Sequence, residues 1–261
     1  MEVPMYGDLM NKVFQFEEKI GNQYNMLKGD LLNKEEKAFV LSDMNAFMTG
    51  LISDQSVKAE LAWALPYRLK ERLGHFDVGK IATEIPVEVM TMIIRQKPAL
   101  HRYPGNIAKY IISACQLLME KYAGDAGNIW NHGETAAQIV DRLEEFKGIS
   151  HKKAALGCLM LVRDLDLDIP DKENINIAYD VHIRRICLRT GMAKEDSMQE
   201  ITRVGKMLYP KFPGRLTSSF WAIGREICRP QQPMCEICPI NEFCEKVGVN
   251  SDFNDLTGKQ I

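Results

Sequence analysis

Four cysteines in the last part of the chain constrain its fold most narrowly. They share the spacing C-x6-C-x2-C-x5-C within 17 residues, and they are Cys228, Cys235, Cys238 and Cys244. Four thiolates this close suit a [4Fe–4S] cluster or a tetrahedral zinc ion, and disulfides are not expected in the reducing cytosol. Zinc ribbons usually pair two C-x2-C knuckles, and only one is present here. A single knuckle is not typical of a zinc ribbon, but the spacing alone leaves both a [4Fe–4S] cluster and a structural zinc ion open.

The rest of the chain has helical periodicity almost throughout. Apolar residues recur at helical spacing, as in the stretch 216–227, and Gly-Pro punctuation separates segments of roughly 10–20 residues. Three further cysteines, Cys115, Cys158 and Cys187, lie on such apolar patterns and are expected to be small buried hydrophobes. Because no run of alternating β-branched residues is bounded by turns, the sequence predicts an all-α fold with few or no strands.

Composition and charge limit the classes of protein that the chain can represent. With 46% hydrophobic and 26% charged residues it is typical of a soluble globular protein. We find neither an apolar stretch of about 18 residues nor a basic start followed by an apolar run. We therefore expect no membrane span and a cytoplasmic, nucleoid-associated location. The formal net charge is −2, so nucleic acid would have to be held by a local patch or by backbone groups.

Residues 143–162 have the pattern of a helix–hairpin–helix. Gly148, Ile149 and Ser150 would make a tight turn, and the small residues Ala154 and Gly157 would let the second helix pack closely. Such a hairpin presents backbone N–H groups at a helix N-terminus to an anion such as a DNA phosphate. A plain helical turn capped by glycine is the alternative interpretation.

The cysteine spacing and this hairpin, in this order, resemble endonuclease III and related DNA glycosylases of the HhH-GPD superfamily. The resemblance covers roughly residues 40–246. It implies a six-helix lobe at 39–165 that carries the hairpin, and an iron–sulfur lobe formed by 1–38 and 166–261. DNA is expected in the groove between the lobes, with the lesion base flipped into it.

The resemblance also implies a catalytic lysine. Lys152 matches the lysine that attacks the sugar C1′, expels the base and forms a Schiff base from which the strand is cut. The helix N-terminus and the neighbouring cation Lys153 would both disfavour its ammonium form, which a nucleophile must lose. Lys153 itself is expected to contact DNA. The alternative is that Lys152 only contacts phosphate.

The segment 179–191 resembles the second catalytic signature of the family. Asp180 matches the catalytic aspartate, which can stabilise positive charge as the base departs or assist proton transfer. It is also a good helix N-cap, and Gly191 is a plausible helix stop, so a purely structural role is the alternative. His182 is expected to make a structural hydrogen bond.

Lys152 and Asp180 are 28 residues apart, which is longer than usual in the family, and an acidic segment at 161–176 accounts for the extra length. Ile169 and Ile175 stand where a calcium loop needs Gly and Glu, so we expect a solvated loop instead.

Three further residues are candidate DNA contacts. Gln55 matches the glutamine that fills the void left by the flipped base, since an enzyme that acts on a base must take it out of the stack. Tyr103 is expected to be a second wedge, and Arg229 to reach a phosphate. Asp54 is expected to line the base pocket.

The sequence therefore predicts a base excision repair glycosylase with AP lyase activity. It would act, as a monomer, on double-stranded DNA with a lesion, a mismatch or an abasic site. A monofunctional mismatch or uracil glycosylase and a non-catalytic DNA-binding iron–sulfur protein are the alternatives. Gly50 stands near the position of the glutamate that is typical of adenine glycosylases.

Overall fold

The computed structural model describes residues 4–21 and 27–249, and in these residues it contains α-helices and short 3-10 or π turns but no strand. The prediction of an all-α fold is confirmed. The helices in chain order are α1 (Pro4–Ile20), α2 (Lys34–Ser42), α3 (Met44–Ser53), α4 (Ala59–Leu73), α5 (Val78–Thr83), α6 (Val87–Arg95), α7 (Pro104–Lys121), α8 (Ala136–Glu144), α9 (His151–Asp164), α10 (Val181–Arg189), α11 (Met198–Leu208) and α12 (Leu216–Ala222).

The chain divides into two compact units. One, the cysteine unit, runs over Met1–Tyr24 and Lys172–Ile261, and the other, the hairpin unit, over Asn25–Asp171. The hairpin unit includes α2, because this helix packs against α3 and α4. The lobe boundaries expected from the family resemblance, 39–165 against 1–38 with 166–261, stay a prediction.

The core of the hairpin unit is built around α3. Asp43 caps this helix by accepting hydrogen bonds from the backbone N–H groups of Asn45 and Ala46 at 2.8 and 3.0 Å. Phe47 is fully buried, with its ring 5.4 Å from Trp63 on α4. At Gly50 the two helices come so close that a Cβ atom would lie 2.6 Å from the Trp63 indole. A glycine here therefore serves helix packing.

The last two helices of this unit form the predicted hairpin. α8 ends at Glu144 and α9 begins at His151. A Cβ atom on Gly157 would meet Leu51 at 2.6 Å and Leu143 at 3.3 Å, so α9 lies close to both α3 and α8. This confirms that small residues permit close packing of the second hairpin helix.

The cysteine unit packs α10, α11 and α12 with α1 around an apolar core that includes Leu9, Ile183, Val204 and Phe220. α12 continues into a π turn at Ile223–Ile227 that leads directly into Cys228. A Cβ atom on Gly224 in this turn would lie 2.7 Å from a backbone oxygen of α10. The cysteine segment thus leaves the core at a point where the backbone is tightly packed.

The acidic segment is more firmly anchored than a solvated loop, and our expectation is corrected here. Asp164 is buried and forms an ion pair with Arg163, and the Asp171 carboxylate accepts a hydrogen bond from the backbone N–H of Ala136 at 2.8 Å. Ile169 is buried as well, whereas Asp166 and Asp168 are exposed. Asp166 and Asp168 therefore lie on the outer side of the segment, and Ile169 lies on its inner side.

Two smaller predictions concern the remaining sequence features. Cys115, Cys158 and Cys187 are buried, and burial raises the pKa of each thiol to about 12, which confirms them as packing residues. Among the described residues, no helix combines the length and apolar character that a membrane crossing requires.

We expect Gly50→Ala to destabilise the hairpin unit by roughly 1–3 kcal/mol, because the added methyl group overlaps the buried Trp63 ring. Helix propensity alone would instead predict that the substitution stabilises the unit by up to about 1 kcal/mol. Urea unfolding followed by tryptophan fluorescence measures the change. Gly105→Ala is the matched control, since a Cβ atom there would meet its nearest neighbour at 4.0 Å. A stabilised Gly50→Ala protein would contradict the close approach.

Candidate active site

The hairpin turn is fixed by one glycine. Gly148 has a φ of +90°, in the left-handed region, and a Cβ atom on it would lie 2.6 Å from the ring of Tyr110. The backbone N–H of Ile149 donates to the carbonyl of Phe146 at 3.0 Å, which closes the turn. Both the backbone conformation and the contact with Tyr110 exclude other residues at position 148.

Ser150 is the N-cap residue of α9, but its side chain makes no capping hydrogen bond. The first N–H groups of any helix have no intrahelical acceptor. Here they follow the tight turn directly, so this end of α9 has the polarity of an anion site. The roles of Gly148 and Ser150 as DNA contacts stay predictions.

The two neighbouring lysines of α9 have different environments. Lys152 is exposed, whereas Lys153 is partly buried. The Lys153 ammonium donates to two backbone carbonyls, that of Gly148 at 2.7 Å and that of Ile52 at 2.8 Å. Lys153 thereby connects the hairpin turn to the end of α3, and its predicted DNA contact stays untested.

Burial lowers the pKa of Lys153 to about 8, and the nearby Asp54 carboxylate opposes this shift. The pKa of Asp54 is raised by burial, an effect opposed by a hydrogen bond from the Trp63 indole N–H at 3.2 Å and by the charges of Lys153 and Lys152. The predicted pocket residue Asp54 and both lysines therefore interact electrostatically within the hairpin unit.

Gln55 follows α3 in the same region. It is partly exposed, and its side-chain amide donates to the carbonyl of Ile52 at 2.8 Å. Ile52 thus accepts hydrogen bonds from both Gln55 and Lys153. The structure places Gln55 beside the hairpin, and its void-filling role stays a prediction.

The second predicted wedge, Tyr103, is the N-cap residue of α7 and is 44% exposed. Arg102 lies over its ring, 5.4 Å from the centroid. The backbone N–H of Tyr103 donates to Nδ1 of His101 at 3.0 Å, and His101 is buried. An exposed aromatic ring on a braced backbone suits a wedge, and its insertion into DNA stays a prediction.

Asp180 belongs to the cysteine unit. It is the N-cap residue of α10, where its carboxylate accepts from the backbone N–H of His182 at 2.8 Å. The predicted cap and the predicted stop at Gly191, which has a φ of +76°, are confirmed. Nδ1 of His182 accepts from Arg185 at 3.0 Å, as expected for a structural hydrogen-bonding residue. The catalytic role of Asp180 stays a prediction.

The four clustered cysteines are partly buried and line one cavity of about 20 Å³. In the described part of the chain, no three His, Cys, Asp or Glu side chains are arranged to hold a single metal ion. The cavity nevertheless collects four thiols and no carboxylate, and soft sulfur ligands of this kind suit iron–sulfur or zinc chemistry.

Sequence reasoning missed two arginines that hold the cysteine segment. Arg185 donates to the Cys228 carbonyl at 2.6 Å, and Arg189 donates to the carbonyls of Arg229 and Pro230 at 2.6 and 2.8 Å. The sequence signal that could have identified these arginines is their i, i+4 spacing on α10. The exposed Arg229 is itself anchored through Nε to the Glu226 carbonyl at 3.0 Å, and its phosphate contact stays a prediction.

The depressed pKa of Lys153 predicts a pH-dependent stability. The folded pKa of about 8 lies below the ordinary 10.5, so the unfolded chain binds more protons between these values and the free energy of unfolding rises with pH across this window. Between pH 8 and 10.5, we expect the free energy of unfolding of the wild type to rise by on the order of 2–3 kcal/mol more than that of Lys153→Met.

Urea unfolding at a series of pH values measures this difference. The exposed Lys147 provides the control, since Lys147→Met should keep the pH dependence of the wild type. Parallel curves for wild type and Lys153→Met would show that Lys153 is not held in a desolvated site.

Comparison with known proteins identifies the family. The model of the HhH-GPD superfamily of base excision DNA repair proteins matches residues 49–211. Endonuclease III of Rickettsia conorii is 29% identical over 92% of this chain and 97% of its own length. Endonuclease III of Thermotoga maritima is 30% identical, over 53% of this chain and 56% of its own length.

Solved structures agree in fold. A trapped covalent intermediate of endonuclease III with DNA has a TM-score of 0.61 at 18% identity, covering 93% of this chain and 96% of that one. A thermostable thymine-DNA glycosylase has a TM-score of 0.59 at 13% identity, covering 91% and 97%. The family match extends over more than half of the chain, includes both halves of the hairpin, and confirms the resemblance seen in the sequence. The chain belongs to the HhH-GPD superfamily of base excision DNA repair proteins.

Proposed function

We propose that this protein is a DNA glycosylase with AP lyase activity that uses Lys152 as its nucleophile. The observation that carries the proposal is the exposed Lys152 in the first turn of α9, directly after the hairpin, in a chain of this repair family. The alternative amine at position 153 is already bonded to two carbonyls. Its greater exposure therefore favours Lys152 as the amine that can reach substrate.

The proposed reaction first releases the damaged base and then cuts the strand. The neutral amine of Lys152 attacks C1′, the N-glycosidic bond breaks, and the base leaves with its electron pair and takes up a proton. Loss of a proton from nitrogen and opening of the sugar ring give a Schiff base. Removal of a C2′ proton then expels the 3′ phosphate and cuts the strand. The Asp180 carboxylate would stabilise the positive charge that develops at the sugar.

DNA would be held mainly by the hairpin and its neighbours. The N–H groups at the start of α9 supply donors for a phosphate without a basic surface, which suits a chain with a net charge of −2. Gln55 and Tyr103 would occupy the space that the flipped nucleotide leaves. The structures of endonuclease III with DNA support DNA as the partner, and we propose that it is double-stranded.

A [4Fe–4S] cluster is the proposed cofactor of the cysteine unit. Each cysteine of such a cluster binds a different iron, so its four sulfurs stand farther apart than four ligands of one zinc ion. The four thiols line one cavity that has no carboxylate in its lining, and soft sulfur ligands of this kind suit such a cluster. The cluster would fix the fold of the segment from Cys228 to Cys244, which has little regular structure of its own.

Borohydride trapping on a duplex with one abasic site tests the nucleophile. We expect wild type to form a covalent adduct and Lys152→Ala to form none, because the Schiff base requires this amine. Lys147→Ala, an exposed lysine on the same hairpin, should trap as wild type does. Lys153→Met should still form the covalent adduct, but more slowly than wild type.

Each other outcome has a distinct meaning. An adduct that persists in Lys152→Ala and disappears in Lys153→Met would move the nucleophile to Lys153. If no variant traps but base release is seen without strand cutting, the enzyme is a monofunctional glycosylase. DNA binding with neither activity would leave a non-catalytic repair protein.

The cluster proposal predicts a coloured protein. Anaerobically purified wild type should contain iron and inorganic sulfide in equal amounts, and Cys235→Ser should lose both together with the visible absorption. Cys158→Ala, which removes a buried thiol of the hairpin unit, should retain them. A colourless wild type with one zinc per chain would replace the cluster by a structural zinc site.

A further inference from the structure

His101 lies between the two segments that carry the proposed wedges. It is 3% exposed and precedes α7, within the loop that follows α6. Its Nε2 atom is 3.2 Å from the carbonyl oxygen of Ser53 and 3.1 Å from that of Gln55. On the other side of the ring, Nδ1 is 3.0 Å from the backbone nitrogen of Tyr103.

These partners fix the protonation state of the ring. The Tyr103 backbone N–H can only donate, so Nδ1 must accept and the single ring proton resides on Nε2, where it donates to the carbonyls. Burial lowers the pKa of His101, and the charge of Lys153 adds to this effect. The imidazole is therefore a neutral link with one donor end and one acceptor end.

We propose that His101 is a positioning residue that couples the Gln55 segment to the Tyr103 segment, so that both enter DNA as one rigid element. The inference rests on the proposed function, since it assigns His101 a task in base extrusion. A wedge on a free loop would lose entropy when it is inserted, whereas a braced pair has already lost it.

The surroundings of the ring support coupling rather than simple core packing. Ser53 is the last residue of α3, and Gln55 is the second residue beyond that helix. Lys153 and Trp63 hold the same stretch through the Ile52 carbonyl and the Asp54 carboxylate. His101 is the residue that extends this hydrogen-bonded network to the backbone of Tyr103.

Two substitutions each remove one of the two hydrogen-bonding ends of the His101 ring. His101→Asn keeps an acceptor near the position of Nδ1 but has no donor that reaches the Gln55 segment. His101→Gln extends an amide donor toward those carbonyls but leaves the Tyr103 N–H without its acceptor. We expect each to slow single-turnover base excision from duplex DNA about tenfold, the effect of one lost buried hydrogen bond.

Two readouts separate positioning from stability. Processing of an abasic site in single-stranded DNA needs no base extrusion, so both variants should perform it at the wild-type rate. A 2-aminopurine placed opposite the lesion should show a smaller fluorescence change on binding, because the gap is filled less often. His132→Asn, at an exposed histidine of the same unit, should match wild type in both assays.

A double-mutant cycle gives the decisive test. If His101 acts through Gln55, combining His101→Asn with Gln55→Ala should slow excision by clearly less than the product of the single effects. The inference is overturned if the double variant is slowed by the full product of the two single effects. It is also overturned if both His101 variants excise the base at the wild-type rate. A wild type without excision on any lesion duplex would instead refute the proposed function, so the two failures are distinguishable.

Discussion

The arrangement of the hairpin unit depends on the partly buried ammonium group of Lys153. A cation withdrawn from water requires hydrogen-bond acceptors, and Lys153 obtains two from the carbonyls of Gly148 and Ile52. One carbonyl belongs to the hairpin turn and the other to the end of the helix before Gln55. A single charged group thereby fixes the distance between the segment proposed to hold the backbone of DNA and the segment proposed to fill its stack.

The partial burial of Lys153 also distinguishes it from its exposed neighbour Lys152. Consecutive residues of an α-helix point about 100° apart, so Lys152 faces outward when Lys153 faces inward. The desolvation that lowers the pKa of Lys153 would make it the better nucleophile by acidity alone, but its nitrogen is engaged in the interior. We therefore propose that accessibility decides between the two amines, with the exposed Lys152 as the nucleophile although burial lowers the pKa of Lys153.

Local sequence signals predicted much of this molecule. Helices, the tight turn at Gly148, the cap at Asp180 and the packing cysteines follow from periodicity, backbone freedom and capping chemistry, which act over a few residues. The inward direction of Lys153, the buried His101 and the arginines that hold the cysteine segment did not follow. Each of them has a partner 40 to 101 residues away in sequence, so their environments exist only once the helices have packed.

The partners of the arginines explain how a chain with a net negative charge can be suited to DNA. Several arginines are paired with carboxylates inside their own unit, as in Arg142 with Glu134 and Arg203 with Glu200. Arg185 and Arg189 donate to backbone carbonyls around the cysteines instead. These four arginines thus help to build the scaffold. If DNA binds at the hairpin, helix N–H groups and inserted side chains must supply a larger share of the recognition than surface cations do, and such contacts release fewer counterions from the phosphate backbone.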